Sequence, residues 1–248
     1  MDPAVAAFAL VPGLALGSFL NVAAARLPEE RSIVRPRSAC GACAAPIAWY
    51  DNVPVLSWLL LRGRCRTCGT RIGLVYPLVE LSTAGLLVGC LAAFGFSLRG
   101  AAAAVLCATL VVVTVTDLTH RIVPNRIVLP AAVVVLALMT PAEPSPEWAI
   151  AGAGASGFLL AAALAYPGGM GLGDVKLALL LGAALGRSVT VALLVGMVAA
   201  LVPAAVLLAR HGSNARKMAI PFAPFLALGG VVALFAGSGL VHAYLSVL

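Results

Sequence analysis

The sequence predicts an all-α polytopic membrane protein of about eight transmembrane helices that carries one small cytoplasmic zinc-binding loop domain. Three observations predict it. Hydrophobic residues fill 62% of the 248 positions and charged residues only 10%, too little polar surface to coat a soluble globule of this size. The apolar residues come in Ala, Leu and Val runs, several near the roughly 18 to 20 residues that cross a hydrocarbon core. The polar and basic residues collect in the breaks between those runs, and the longest break holds four of the six cysteines.

Taken in order, the expected spans are residues 4–25, 74–96, 100–116, 122–139, 149–166, 175–186, 189–209 and 221–247. The first ends in Ala23, Ala24 and Ala25, which resemble a signal cleavage site. Yet Arg26, Arg31, Arg35 and Arg37 follow the apolar run instead of preceding it, so it is expected to stay as a span. Pro130 interrupts the fourth span, and the sixth is short and diluted by Gly182 and Gly186. Residues 141–147, with Pro141, Pro144 and Pro146, read as a stiff external connection.

The basic residues set the topology. Eight Lys and Arg lie in residues 26–73, two in 117–126, one at Lys176 and three in 210–219; the alternate connections hold only Arg99 and Arg187. The positive-inside rule places the first group in the cytoplasm and both termini outside. The net charge of +7 is therefore topological, and with no basic face or helix it argues against nucleic acid as a partner. The partner it implies is the lipid bilayer. Two regions follow: 1–98, with two spans and the cysteine loop 26–73, and 99–248, a core of six spans.

Cys40-Gly-Ala-Cys43 and Cys65-Arg-Thr-Cys68 are C-x2-C pairs separated by 21 residues, near the spacing that closes a four-thiolate zinc site. The rival readings are redox pairs or disulfides, which a cytoplasmic location disfavours. With every ligand supplied by protein, the metal would be structural. Cys90 and Cys107 lie inside apolar spans, where a lone cysteine serves as a small hydrophobe.

Of nine acids, only Glu80, Asp117 and Asp174 lie in or against the spans. Asp117 directly follows the run 100–116, and Asp174 opens the sixth span within Gly169-Met170-Gly171-Leu172-Gly173-Asp174. Either alone is accounted for as a helix end, with Asp174 as a cap. Together they offer more. Two carboxylates held close share one proton, so one acts as base while the other acts as acid, as aspartic proteolysis requires. Gly169, Gly171 and Gly173 would let a substrate strand or partner helix approach closely. Glu80 is a functional candidate because an intramembrane acid is costly; its plain role would be a hydrogen bond to a neighbouring helix, through Asn21. Lys176 is expected to snorkel or to pair with a carboxylate. His120, His211 and His242 lack metal-ligand spacing.

The sequence resembles the type IV prepilin peptidases, of the GxGD membrane aspartic proteases, in many stretches. These are Gly17-Ser18-Phe19-Leu20-Asn21-Val22 with Arg26-Leu27-Pro28, both C-x2-C pairs, and Pro54-Val55-Leu56-Ser57-Trp58 leading to Arg62-Gly63-Arg64-Cys65. Tyr76-Pro77-Leu78-Val79-Glu80-Leu81, both Asp motifs and Ile220-Pro221-Phe222-Ala223-Pro224-Phe225-Leu226 complete the set. The last has Ala223 where many relatives have glycine. The resemblance implies that Asp117 and Asp174 are catalytic and that the substrate is a prepilin or pseudopilin whose basic leader ends at a glycine. It also implies N-methylation of the new N terminus with S-adenosylmethionine through the N-terminal region, with Glu80 as a candidate at the donor site. Two other classes compete: a transporter, since broken helices with buried acids also build ion pathways, and a non-catalytic assembly subunit of a pilus or secretion system.

Overall fold

A computed structural model describes residues 3–166, 170–212 and 220–246. Gly169, Arg216 and Lys217 of the sequence reading lie outside these. The chain divides into two compact units, Met1–Gly95 and Phe96–Leu248.

In the first unit, α1 (Pro3–Arg26) and α3 (Val75–Phe94) pair antiparallel, joined by the cysteine loop and its short helix α2 (Leu56–Leu60). Gly13 lies against Ala84 and Gly17 against Glu80, and the Asn21 side-chain amide donates to the Tyr76 carbonyl at 3.1 Å. A Cβ on Gly17 would sit 2.6 Å from the Glu80 Cα, so this Gly-x3-Gly stripe lets the two backbones touch. In lipid, where apolar burial does not drive helices together, such close contact does.

The second unit contains α4 (Leu98–His120), α5 (Asn125–Ala142), α6 (Glu147–Ala165), α7 (Leu172–Leu185), α8 (Val189–His211) and α9 (Ala223–Leu245). Helix α7 is the centre. Its Val175, Leu177, Ala178, Leu180, Leu181 and Ala183 are all buried, and it packs on α4, α5, α6 and α9. Outer faces carry exposed Val133, Ile150, Leu164, Leu194, Leu201 and Val202, as a surface solvated by lipid tails requires.

Seven stretches among the described residues are long and apolar enough to cross a membrane, and one of them, Leu172–His211, runs to 40 residues. The close approaches resolve it into two crossings. Gly229 lies against Ala192 and Gly237 against Ser188, so α8 and α9 are antiparallel. Gly230 meets Leu181 while Gly237 meets Ser188, so α9 runs the same way as α7. The chain therefore reverses at the 3-10 turn Gly186–Ser188, and the 40 residues form two helices that run in opposite directions. The backbone N–H and guanidinium of Arg187 both bind the Glu147 carboxylate, at 2.8 Å and 3.3 Å, and fasten this turn to the start of α6. At the same end Arg99 pairs with Glu143 at 2.7 Å, tying α4 to the end of α5.

Two boundaries depart from the sequence reading. Helix α4 continues past residue 116 to His120, and within it Thr119 turns its hydroxyl back to the Val115 carbonyl at 2.7 Å. Asp117 consequently lies inside the helix, which stops at a left-handed Arg121 (φ 56°) whose N–H donates to the Asp117 carbonyl at 2.9 Å. Pro141, assigned to a stiff connection, lies within α5, as does Pro130. Neighbouring helices tolerate such prolines in a membrane core.

Candidate active site and metal centre

Asp117 and Asp174 come from different helices and reach the same end of the second unit. Helix α4 is antiparallel to α9, since Leu110 meets Gly230 and Asp117 meets Ala223. Because α9 parallels α7, the C-terminal end of α4 lies beside the N-terminal end of α7. Both acids are buried, at 7% and 8% exposure, and the Asp174 carboxylate interacts electrostatically with that of Asp117. Asp174 is the third residue of α7, behind a Gly171 N-cap, so it is not itself the cap. With 14 residues, α7 is about 21 Å long, short of the roughly 30 Å hydrocarbon core.

Each acid has a local support. The Ala223 N–H, at the first position of α9, donates to Asp117 Oδ2 at 3.1 Å, and a helix N terminus favours a carboxylate. The Asp174 backbone N–H donates to the Gly171 carbonyl at 3.1 Å, which sets Asp174 in the first turn of α7. Gly173 allows the approach of α7 to the segment between α4 and α5, because a Cβ there would lie 2.7 Å from the Val123 Cβ. Gly171 has no such neighbour: its added Cβ would come no nearer than 3.6 Å, to Asp174 Oδ2. Lys176 donates to the Asn125 side-chain oxygen at 2.8 Å instead of pairing with a carboxylate. The part played by Ala223 was missed from sequence; only the Pro-Phe-Ala-Pro-Phe stretch hinted at a constrained helix start.

The four loop cysteines form one cluster. Their sulfurs all lie within 4.8 Å of one another, and Cys40 and Cys68 are 3.8 Å apart. A tetrahedral ion with Zn–S bonds of about 2.3 Å has sulfur–sulfur edges of about 3.8 Å, so the donor set and spacing fit zinc. The two knuckles match. Cys40 N–H donates to the Ala45 carbonyl and Cys65 N–H to that of Thr70, each at 2.9 Å, with Ala44 (φ 56°) and Gly69 (φ 70°) turning the chain after the second cysteine. Cys68 Sγ donates to Thr70 Oγ1 at 3.2 Å, and its contacts with the Thr70 side chain and backbone bring the Cys68 pKa down to about 6. Asp51 takes a two-pronged bond from Arg66, at 2.8 Å and 2.6 Å, which holds its carboxyl below the usual range.

Glu80 is buried on α3 and already bonded. Its Oε2 accepts the Val55 N–H at 2.7 Å and the carboxylate also bonds the Ser18 side chain; Asn21, the expected partner, turns to Tyr76.

The fold and these acids define a class, a polytopic helical membrane protein in which two buried aspartates from separate helices lie at the same end of the core. Residues 11–94 match the Bacterial Peptidase A24 N-terminal domain, and residues 104–209 the Type IV leader peptidase family. The prepilin leader peptidase/N-methyltransferase of Myxococcus xanthus is 44% identical over 189 residues, 73% of this chain and 56% of that protein's length. The protein of the same name from Bacillus subtilis is 36% identical over 239 residues, 94% of this chain and 95% of the relative. One from Burkholderia pseudomallei is 37% identical over 267 residues, 94% and 85%. The chain belongs to the type IV leader peptidase family. No solved structure matches it significantly.

Proposed function

We propose that this chain is an inner-membrane aspartic endopeptidase that removes the leader from type IV prepilins or pseudopilins and then N-methylates the new N terminus, with Asp117 and Asp174 as the catalytic pair. The observation that carries this reading is the placement of two buried carboxylates from α4 and α7 at the same end of the second unit, one of them held by the N terminus of α9. In the cleavage step the ionised member takes a proton from water, whose oxygen attacks the scissile carbonyl carbon. The protonated member donates to the carbonyl oxygen. Collapse of the tetrahedral intermediate breaks the C–N bond: the departing amine takes the proton that came from water, and the hydroxyl made from the carbonyl oxygen returns its proton to the other carboxylate.

The basic connections argue that the Asp end faces the cytoplasm and both termini lie outside. Region 99–248 is the peptidase core. Region 1–98 carries methyl transfer, for which S-adenosylmethionine supplies the methyl group when bound, and Cys40, Cys43, Cys65 and Cys68 hold a structural zinc. Both acids sit at one end of the core instead of near its midplane, which weighs against the transport reading.

The test is a cleavage assay in liposomes with a prepilin, the leader followed by mass spectrometry. Asp117→Asn and Asp174→Asn should each abolish cleavage while keeping wild-type helix content, and methylation should add the mass of one methylene to the product. Full activity in Asp117→Asn would overturn the pair.

A further inference from the structure

Val55 is the most strained residue of the cysteine loop. Its backbone has φ 60° and ψ −51°, and the Leu56 N–H donates back across it to the Pro54 carbonyl at 2.6 Å. This is a γ-turn of the positive-φ kind, rare for any side chain and an outlier for a β-branched one. Such a conformation persists only where the surroundings over-determine it. Here the Val55 N–H is drawn by the buried Glu80 carboxylate at 2.7 Å, a charge-assisted bond, and Glu80 is itself fixed by Ser18 on α1.

The turn has structural reach. It starts α2, whose Ser57 accepts the Val53 N–H at 3.1 Å and donates to the Tyr50 carbonyl at 2.8 Å. One residue on, Trp58 donates its indole N–H to the Ile72 carbonyl at 3.1 Å, just beyond the second knuckle and just before α3. Gly63 packs on the same indole, where a Cβ would lie 2.7 Å from a ring carbon.

We propose that Glu80 is a positioning residue: its carboxylate holds Val55 in the strained turn and so fixes residues 53–60 and the root of the cysteine loop in the arrangement methyl transfer needs. This rests on the reading that the N-terminal region performs that transfer. It differs from a role at the methyl donor itself, because it makes Val55 the target of Glu80.

The difference is testable with the full chain in nanodiscs. Wild type, Glu80→Gln, Glu80→Ala, Val55→Gly and the Glu80→Ala/Val55→Gly double variant are compared for prepilin cleavage, methylation of a pre-cleaved pilin, and amide hydrogen exchange over residues 53–58. Glu80→Ala should keep cleavage, lose methylation by about tenfold or more, and raise exchange over the turn. Glu80→Gln, which still offers an oxygen acceptor, should fall between, and it serves as the readout should Glu80→Ala fail to fold. Glycine adopts positive φ freely, so Val55→Gly in the Glu80→Ala background should restore methylation to within about threefold of wild type. Unchanged exchange in both Glu80 variants would overturn the clamp. Exchange restored by Val55→Gly without recovery of methylation would overturn the positioning role and place Glu80 at the donor. Raised exchange in Glu80→Ala with methylation still at wild type would also overturn the positioning role, whereas wild type that fails to methylate the pre-cleaved pilin would overturn the reading it rests on.

Discussion

Substituting Gly173 by alanine probes the geometry of the acid pair without touching either acid. The new methyl would lie 2.7 Å from the Val123 Cβ and 3.0 Å from its Cγ2. Carbon atoms at ordinary contact stand about 3.5 to 4.0 Å apart, so the start of α7 and the segment 121–124 must separate by roughly 1 Å. Asp174 is the next residue and moves with that backbone, whereas Asp117 is held by the Ala223 N–H. A displacement of about 1 Å in a reacting group costs on the order of a hundredfold in rate, or about 2.7 kcal/mol of barrier. Turnover of a prepilin peptide in detergent, with KM measured separately, should show this loss in kcat while α7 stays folded. Val123→Ala keeps the offending Cβ and should not compensate, whereas Val123→Gly removes it and should recover most of the rate. Gly171→Ala, which forces no shift, should lose far less. Wild-type kcat in Gly173→Ala, or equal rescue by Val123→Ala and Val123→Gly, would refute the reasoning.

The cysteine loop yields three more expectations. Ala44→Gly should relieve a left-handed residue at no steric loss, stabilising the first knuckle by about 1 kcal/mol, seen as slower zinc release to a chelator; Gly69→Ala should do the reverse. Replacing Cys40, Cys43, Cys65 and Cys68 together by serine should abolish metal binding by elemental analysis and open the loop to proteases, while cleavage survives better than in either Asp variant. Asp51→Asn should also open the loop to proteolysis at pH 7. Because Arg66 depresses the Asp51 carboxyl, that bond contributes above the unfolded-state pKa and is lost as pH falls through the lower native value. The difference from wild type should therefore shrink only once the pH falls below the ordinary aspartate range.

What was legible in the sequence was local or compositional. The crossings follow from apolar runs, and the thiol cluster from two short spacings whose knuckles close within a few residues. Placement across long separations was not legible. Ala223 reaches Asp117 from 106 residues away, and nothing in either motif encodes that bond. The Gly-rich stretch announced a close approach but not its object, which is Val123 for Gly173, while Gly171 has nothing nearer than ordinary contact with Asp174. The end of α4 was misjudged because hydropathy falls at Thr116 while the helix itself runs on to a left-handed Arg121. Glu80 was expected to bond Asn21 on α1; one turn earlier on that helix Ser18 does so, and the second partner is a loop amide whose strained backbone no propensity would suggest.

The reversal at Gly186–Ser188 decides more than the number of crossings. Every crossing inverts the polarity of the chain, so the sidedness of α9 is inherited from those three residues. Were the 40 residues Leu172–His211 read as one long crossing, the parity would change and α9 would start on the opposite face of the bilayer, leaving Asp117 without the amide that now meets it. The Glu147 grip on Arg187 thus guards a count: an odd or even number of passes, settled far from the acids, determines whether one of them has its backbone partner at all.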